Sequence, residues 1–211
     1  MSSAAYALAA HVASTATVRF ADPLLYAAAF FIFLNPFMWN VVSRREHRTR
    51  FLTRFFGGNK YAACYFCAAC IFSAGLWRDY VFSLAVESQP TSAALGCDAC
   101  RAFGWLLTAF GATLVVSSSL RLGITGTFIG DYCGILMDAP ITAFPFNVFA
   151  NPMYVGSTSL FAAHAVLHQS PAGLLLAAWV WVVYYVACLY ENPFTAQIYA
   201  EHAARVARRR Q

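Results

Sequence analysis

Three stretches of this chain, Pro23 to Val42, Ala102 to Leu120 and Leu174 to Tyr190, contain no Asp, Glu, Lys or Arg, and charged residues gather in short clusters between and beyond them. Each is close to the length a helix needs, at about 1.5 Å per residue, to cross roughly 30 Å of hydrocarbon. With 60% hydrophobic and 11% charged side chains, against about 25% charged in an ordinary soluble domain, the chain has more apolar surface than a soluble core can absorb. It reads as an all-α, polytopic membrane protein with about four transmembrane helices plus re-entrant or broken helical segments, forming a single membrane-embedded domain over residues 1–211.

The net charge of +5 resides mainly in the Arg44 to Lys60 segment and in the tail "EHAARVARRRQ". Both lie beside apolar segments without any aromatic-rich soluble module, so they read as cytosolic flanks facing anionic headgroups. Nucleic acid is not expected as a partner, and no obligatory protein partner is implied. Residues 1 to 21 have no basic cluster ahead of an apolar run, so no cleavable signal peptide is expected.

Asn35 and Pro36 interrupt the first apolar segment, and Pro36 withholds a backbone donor, so the element either spans, tilts or dips into the membrane. A second segment runs from Tyr61 to about Ala85 and carries Trp77, Arg78 and Asp79 towards its far end. Ala102 to Leu120 is the cleanest membrane helix. The region from Arg121 to Ser159 has too many Gly, Pro, Asp and Asn residues for lipid exposure yet is too apolar for a water-facing loop, and such backbone is tolerated at membrane depth only where protein or a water-filled cavity surrounds it. It is expected to build part of a site. The last apolar stretch, Leu160 to Tyr190, is broken by "QSPAG". If both halves cross, the two basic clusters share one side of the membrane; if only the second crosses, they part unless the first segment is re-entrant.

Several residue groups bear on chemistry. Gly126, Gly130 and Gly134 recur every four residues, which favours close helix packing over ligand approach. Cys64, Cys67 and Cys70 fall along one side of a helix as small packing residues. Cys97 and Cys100 form one Cys-x-x-Cys pair, which lacks the remaining ligands of a structural zinc site. His164 and His168 share a helical face with no acid or thiol to complete a metal site, so no metal is expected. Glu191 closes the last apolar helix, where a carboxylate opposes the helix dipole and hints at a cationic partner.

Taken together, "NPFMWNVVSRREHRTR", "GITGTFIGDYCGIL", "FPFNVFANPMYVGST", "HQSPAGLLL" and "LYENPFTAQIY" resemble, in order and spacing, the phosphatidylethanolamine N-methyltransferase family of endoplasmic-reticulum membrane enzymes, over about Asp22 to Tyr199. The resemblance implies transfer of methyl groups from S-adenosylmethionine to phosphatidylethanolamine and its mono- and dimethyl forms, giving phosphatidylcholine. The family's Gly-x-Gly cofactor motif falls on Ala109, Phe110 and Gly111, and its Glu-Glu pair on Glu191 and Asn192, so each motif is half kept. Ala109 narrows a slot by one methyl group, and Asn192 removes a charge while keeping an acceptor.

Methyl transfer needs a neutral amine, and a lysine-like amine with pKa around 10 is mostly protonated at neutral pH, so a proton acceptor is required. His168 is the expected base, with Glu191, Asp131 or water as rivals. Asn151 and Tyr154 are expected to line the cofactor pocket or bind the headgroup, and Arg44 and Arg48, with Arg45 and Arg50, to hold the lipid phosphate at the interface. A methyltransferase acting on a prenylated cysteine carboxylate is the nearest enzymatic rival. A small transporter or scaffold would need a continuous polar path, which the scattered polar residues do not supply.

Overall fold

The computed structural model describes residues 18–139 and 141–209, so most of the segment considered for a signal peptide lies outside the described residues. The elements are helices: α1 (Pro23–Thr49), α2 (Phe51–Phe55), α3 (Lys60–Ser88), a 3-10 turn (Ala93–Leu95), α4 (Asp98–Thr127), α5 (Pro152–Leu167) and α6 (Pro171–Arg209). No strand occurs among the described residues. Four of the helices, α1, α3, α4 and α6, are long and apolar enough to cross a membrane.

Local chemistry sets the helix ends. The Asp22 carboxylate accepts from Leu24 N at 2.9 Å and Pro23 occupies the first turn, where its missing N–H costs nothing. Asn59 caps α3 by accepting from the N–H groups of Tyr61 and Ala62. Pro36 does not interrupt α1, which continues for 27 residues through the basic cluster to Thr49. There Arg50 adopts φ 55° and donates its N–H to Glu46 O, and the buried Glu46 carboxylate accepts from Leu52 N, Thr53 N and Thr53 Oγ1. Glu46 thus supplies the acceptors that the start of α2 requires.

Contacts at the two ends resolve the topology. At one end Ser92 N donates to Gln169 O at 2.8 Å, bringing the α3–α4 loop onto the "QSPAG" turn. At the other, Arg44 Nη2 donates to Tyr190 O at 2.7 Å and His47 faces Glu201 at 3.9 Å. The chain therefore runs up and down, with the short α5 returning along α4 before α6, and the two basic segments share one end. One expectation is corrected: Glu191 does not close a helix, because α6 continues past Pro193 to Arg209. The apolar run stops at Tyr190, while the helix goes on into a more polar extension.

Two clusters hold the bundle. Towards the end opposite the basic segments, Ile32, Phe82, Phe161, Leu176 and Val180 join α1, α3, α5 and α6. Near the charged end, Cys64 and Cys67 of α3 pack with Ile129, Tyr132, Cys133 and Ile198, which supports the packing role read for those cysteines. Phe30, Leu106 and Trp181 point outward, as lipid-facing side chains do.

The α4–α5 pair is the closest packed, because Gly111 faces Gly156. A Cβ on Gly111 would lie 2.6 Å from Gly156 O, and one on Gly156 would lie 2.8 Å from Gly111 O. By contrast, α3 and α4 make few direct contacts, which leaves a gap between them. Gly156→Leu is expected to force these backbones apart at a cost of about 1–3 kcal/mol, as core overpacking does, seen as a lower thermal midpoint in detergent.

Candidate functional site

At the charged end a cavity of about 930 Å³ lies between α1, α3, α4, α5, α6 and the segment after α4. Its wall begins where α4 loses regularity: Gly123 takes φ 62°, and the chain then folds tightly, with Gly130 N donating to Thr125 O at 3.0 Å and Ile135 N to Gly130 O at 2.7 Å. Arg50 Nη1 donates to Tyr132 O at 2.9 Å and Lys60 Nζ to Gly134 O at 3.1 Å, so two cations pin this turn. The four-residue glycine spacing therefore does not mark one helix face. Gly126 is in the last turn of α4, and Gly134 sits at φ 80° beneath the Arg50 guanidinium, a conformation that side chains resist.

Glu191 projects into this cavity from α6. Its Oε1 accepts from Asn40 Nδ2 at 2.7 Å and its Oε2 from the Tyr154 hydroxyl at 2.5 Å, which ties α6 to α1 and α5. Asp131 lies in the same wall, accepting from Tyr132 N at 2.9 Å and Thr195 Oγ1 at 3.2 Å. Burial pushes the Asp131 carboxyl up to about 6, and the nearby Glu191 charge acts in the same direction. Three further polar atoms on cavity-lining residues, Trp39 Nε1, Asn40 Oδ1 and Thr127 Oγ1, are buried without a hydrogen-bond partner. Unsatisfied buried groups are costly. A donor, an amide oxygen and a hydroxyl around a carboxylate suit a ligand that carries positive charge together with hydrogen-bonding groups.

The structure brings Asn151, Tyr154, Glu191 and Asn192 together on this cavity. Three expected cofactor residues do not line it. Gly111 is buried against Gly156, while Ala109 and Phe110 are exposed, the Phe110 ring meeting Phe149 at 6.1 Å. The closeness that a glycine permits is here used by a neighbouring helix.

His168 is corrected as a base. It caps the far end of α5, exposed and stacked on His164, with its Nδ1 at 2.9 Å from His164 O. The 16 residues of α5 place it about 20 Å from Tyr154 at 1.5 Å per residue, beyond reach of an amine beside Glu191. Arg44 stands at the rim, its guanidinium 4.4 Å over the Phe194 ring, and Arg48 is exposed. Sequence reasoning missed Trp39, Asn40, Thr127 and Thr195. The available signal was the pair of asparagines, Asn35 and Asn40, in an otherwise apolar helix.

The family profile described as phospholipid methyltransferase matches residues 99–202. Phosphatidyl-N-methylethanolamine N-methyltransferase of Neurospora crassa is 52% identical over 184 residues, 87% of this chain and 86% of that one. Phosphatidylethanolamine N-methyltransferase of Homo sapiens is 47% identical over 183 residues, 87% of this chain and 92% of that one. Phosphatidyl-N-methylethanolamine N-methyltransferase of Saccharomyces cerevisiae is 47% identical over 166 residues, 79% of this chain and 80% of that one. No solved structure matches.

Proposed function

The chain belongs to the phospholipid methyltransferase family, and on that premise we propose that it methylates the headgroup amine of phosphatidylethanolamine and its N-methylated derivatives, leading to phosphatidylcholine. S-adenosylmethionine is the proposed methyl donor and the endoplasmic-reticulum membrane the proposed location. The observation that carries the reading is the Glu191 carboxylate, held by Tyr154 and Asn40 in a cavity whose α3 and α4 walls barely touch each other.

When bound, S-adenosylmethionine supplies an electrophilic methyl group on a sulfonium. The residues present fit such a donor. Glu191 offers negative charge, Asn40 and Thr127 offer oxygen acceptors, Trp39 offers an indole N–H, and Asn192 lines the same wall. Tyr154 and Asn40 fix the Glu191 carboxylate by donating to both of its oxygens, which limits the reorganisation needed when a cation arrives.

The acceptor amine enters protonated and must lose a proton before it can act as a nucleophile. Asp131 is the proposed acceptor of that proton. It shares the cavity with Glu191, and its raised pKa brings the carboxylate nearer to the amine in basicity. Thr195 and the Tyr132 N–H orient it. Below about 6 Asp131 is already protonated and cannot take up the amine's proton, so turnover is expected to rise as pH increases through that value.

The reading is tested by expressing the protein in cells that lack methylation of phosphatidylethanolamine and resolving the lipids by number of methyl groups. N-methylated products support it; their absence despite membrane insertion refutes it. Glu191→Gln is expected to weaken cofactor binding roughly ten- to hundredfold, the 1.5–3 kcal/mol scale of a hydrogen bond to a charged group, measured calorimetrically in detergent. Asp131→Asn is expected to lower kcat by about 10²–10⁴ and to abolish the rise with pH near 6 in the residual activity. His168→Ala is expected to leave kcat and the pH profile unchanged.

A further inference from the structure

Arg78 is a cation inside the bundle, on a membrane-crossing helix, with a side chain only 13% exposed. Its guanidinium bonds to one oxygen of Asp79, from Nε at 2.9 Å and Nη2 at 2.8 Å, and donates from Nη1 to the Tyr184 hydroxyl at 2.6 Å. Three of the five N–H groups of an arginine are thereby engaged. The aromatic face of Phe161 lies 5.0 Å away. Ionisable groups at membrane depth are costly and mark sites more often than they serve packing alone.

The place of Arg78 is informative. It lines the large cavity and also an adjoining one of about 210 Å³, where Ser83, Ser157 and His164 are neighbours. His164 Nε2 is buried there without a hydrogen-bond partner. Tyr184, to which Arg78 is bonded, precedes Glu191 on α6 by seven positions, about 10 Å at 1.5 Å per residue. Arg78 therefore stands on the membrane side of Glu191, at the inner end of the same cavity. Phe72, Gly75 and Leu76 of α3 and Val115 and Leu122 of α4 flank the way to it, on the two helices that leave a gap between them.

We propose that Arg78 is the anchor for the phosphodiester of the acceptor phospholipid, with Asp79 and Tyr184 as the residues that position its guanidinium. The inference rests on the methyl-transfer reading for the identity of the lipid. An anion at this depth needs a charge partner and donors, and a guanidinium with unused N–H groups supplies both. With the phosphate at Arg78, the acyl chains leave through the gap between α3 and α4. The ethanolamine arm then extends from the phosphate towards Asp131 and Glu191. The basic cluster of α1 is not needed to hold the bound headgroup.

The test reads binding without turnover. Purified protein in detergent, without methyl donor, is mixed with equal amounts of phosphatidylethanolamine and diacylglycerol of the same acyl chains, and co-purifying lipid is quantified by mass spectrometry. Wild type is expected to retain the phospholipid at least tenfold over diacylglycerol. The double variant Arg78→Gln with Asp79→Asn, which strands no charge, is expected to lose that preference while keeping its thermal midpoint. Soluble glycerophosphoethanolamine at the same concentration is expected not to displace the lipid. Equal retention of both lipids by wild type overturns the proposal whatever the variant does. So does an unchanged preference in the folded double variant, and displacement by the soluble compound overturns the part of the proposal that holds the lipid by acyl chains leaving between α3 and α4. Wild type that retains phosphatidylethanolamine but yields no methylated lipid with labelled donor would refute the methyl-transfer reading and leave this subsite standing.

Discussion

The charged end of the molecule takes its form from one helix that is too short. A helix of 16 residues reaches about 24 Å at 1.5 Å per residue, so α5 falls short of the roughly 30 Å of hydrocarbon a bilayer presents. Its partner α4 is 30 residues long, and the crossing at Gly111 and Gly156 fixes one against the other with no room to slide. The whole deficit therefore appears at the end where α5 begins. The irregular segment between α4 and α5 occupies that space, and its polar backbone is tolerated because protein surrounds it. The cavity is what this segment leaves unfilled.

The proposed chemistry would bring two positive charges into that space, one on a sulfonium donor and one on the incoming amine. Two unit charges about 4 Å apart repel by roughly 4 kcal/mol at an effective dielectric constant of 20. Carboxylates on different elements meet this demand: Glu191 on α6 and Asp131 on the connecting segment both line the cavity. Their environments differ. Glu191 receives a phenol and an amide hydrogen bond, while Asp131 has a backbone N–H and a longer contact with a threonine hydroxyl. Two acids in one cavity with different partners can divide roles, one holding a cation and the other taking a proton.

What the sequence disclosed followed the physics of the bilayer closely. Uncharged stretches marked α1, α4 and α6, and the unusual mixture of Gly, Pro and Asn after Arg121 marked the cavity wall. Tyr154, Asn151, Glu191 and Asn192 lie on that wall or face it. His168 was misplaced because a four-residue spacing from His164 identifies a helix face but not which end of the helix meets the site. Gly111 was assigned to the cofactor through the resemblance alone, but a missing side chain admits a ligand and a neighbouring helix equally well, and in the fold it is Gly156 that approaches it. The extent of α6 was hidden for a different reason: hydropathy records the edge of the membrane, and a helix is free to continue past it.

The basic cluster of α1 is best understood through the carbonyls around Pro193. A proline inside a helix has no N–H for the carbonyl four residues earlier, here Leu189, and its ring crowds that turn. One residue on, Tyr190 O accepts from Arg44, and the same guanidinium lies over Phe194. Arg50 and Lys60 are likewise engaged by the carbonyls of Tyr132 and Gly134. Arg50 and Lys60 thus act on carbonyls of the irregular segment while Arg44 bonds a carbonyl in the turn of α6 next to Pro193, and together they hold the rim of the cavity in place. Arg45 and Arg48, which remain exposed, are the ones left to meet anionic headgroups. The cluster that marks the membrane boundary in the sequence is therefore divided in the fold between shaping the site and facing the lipid surface.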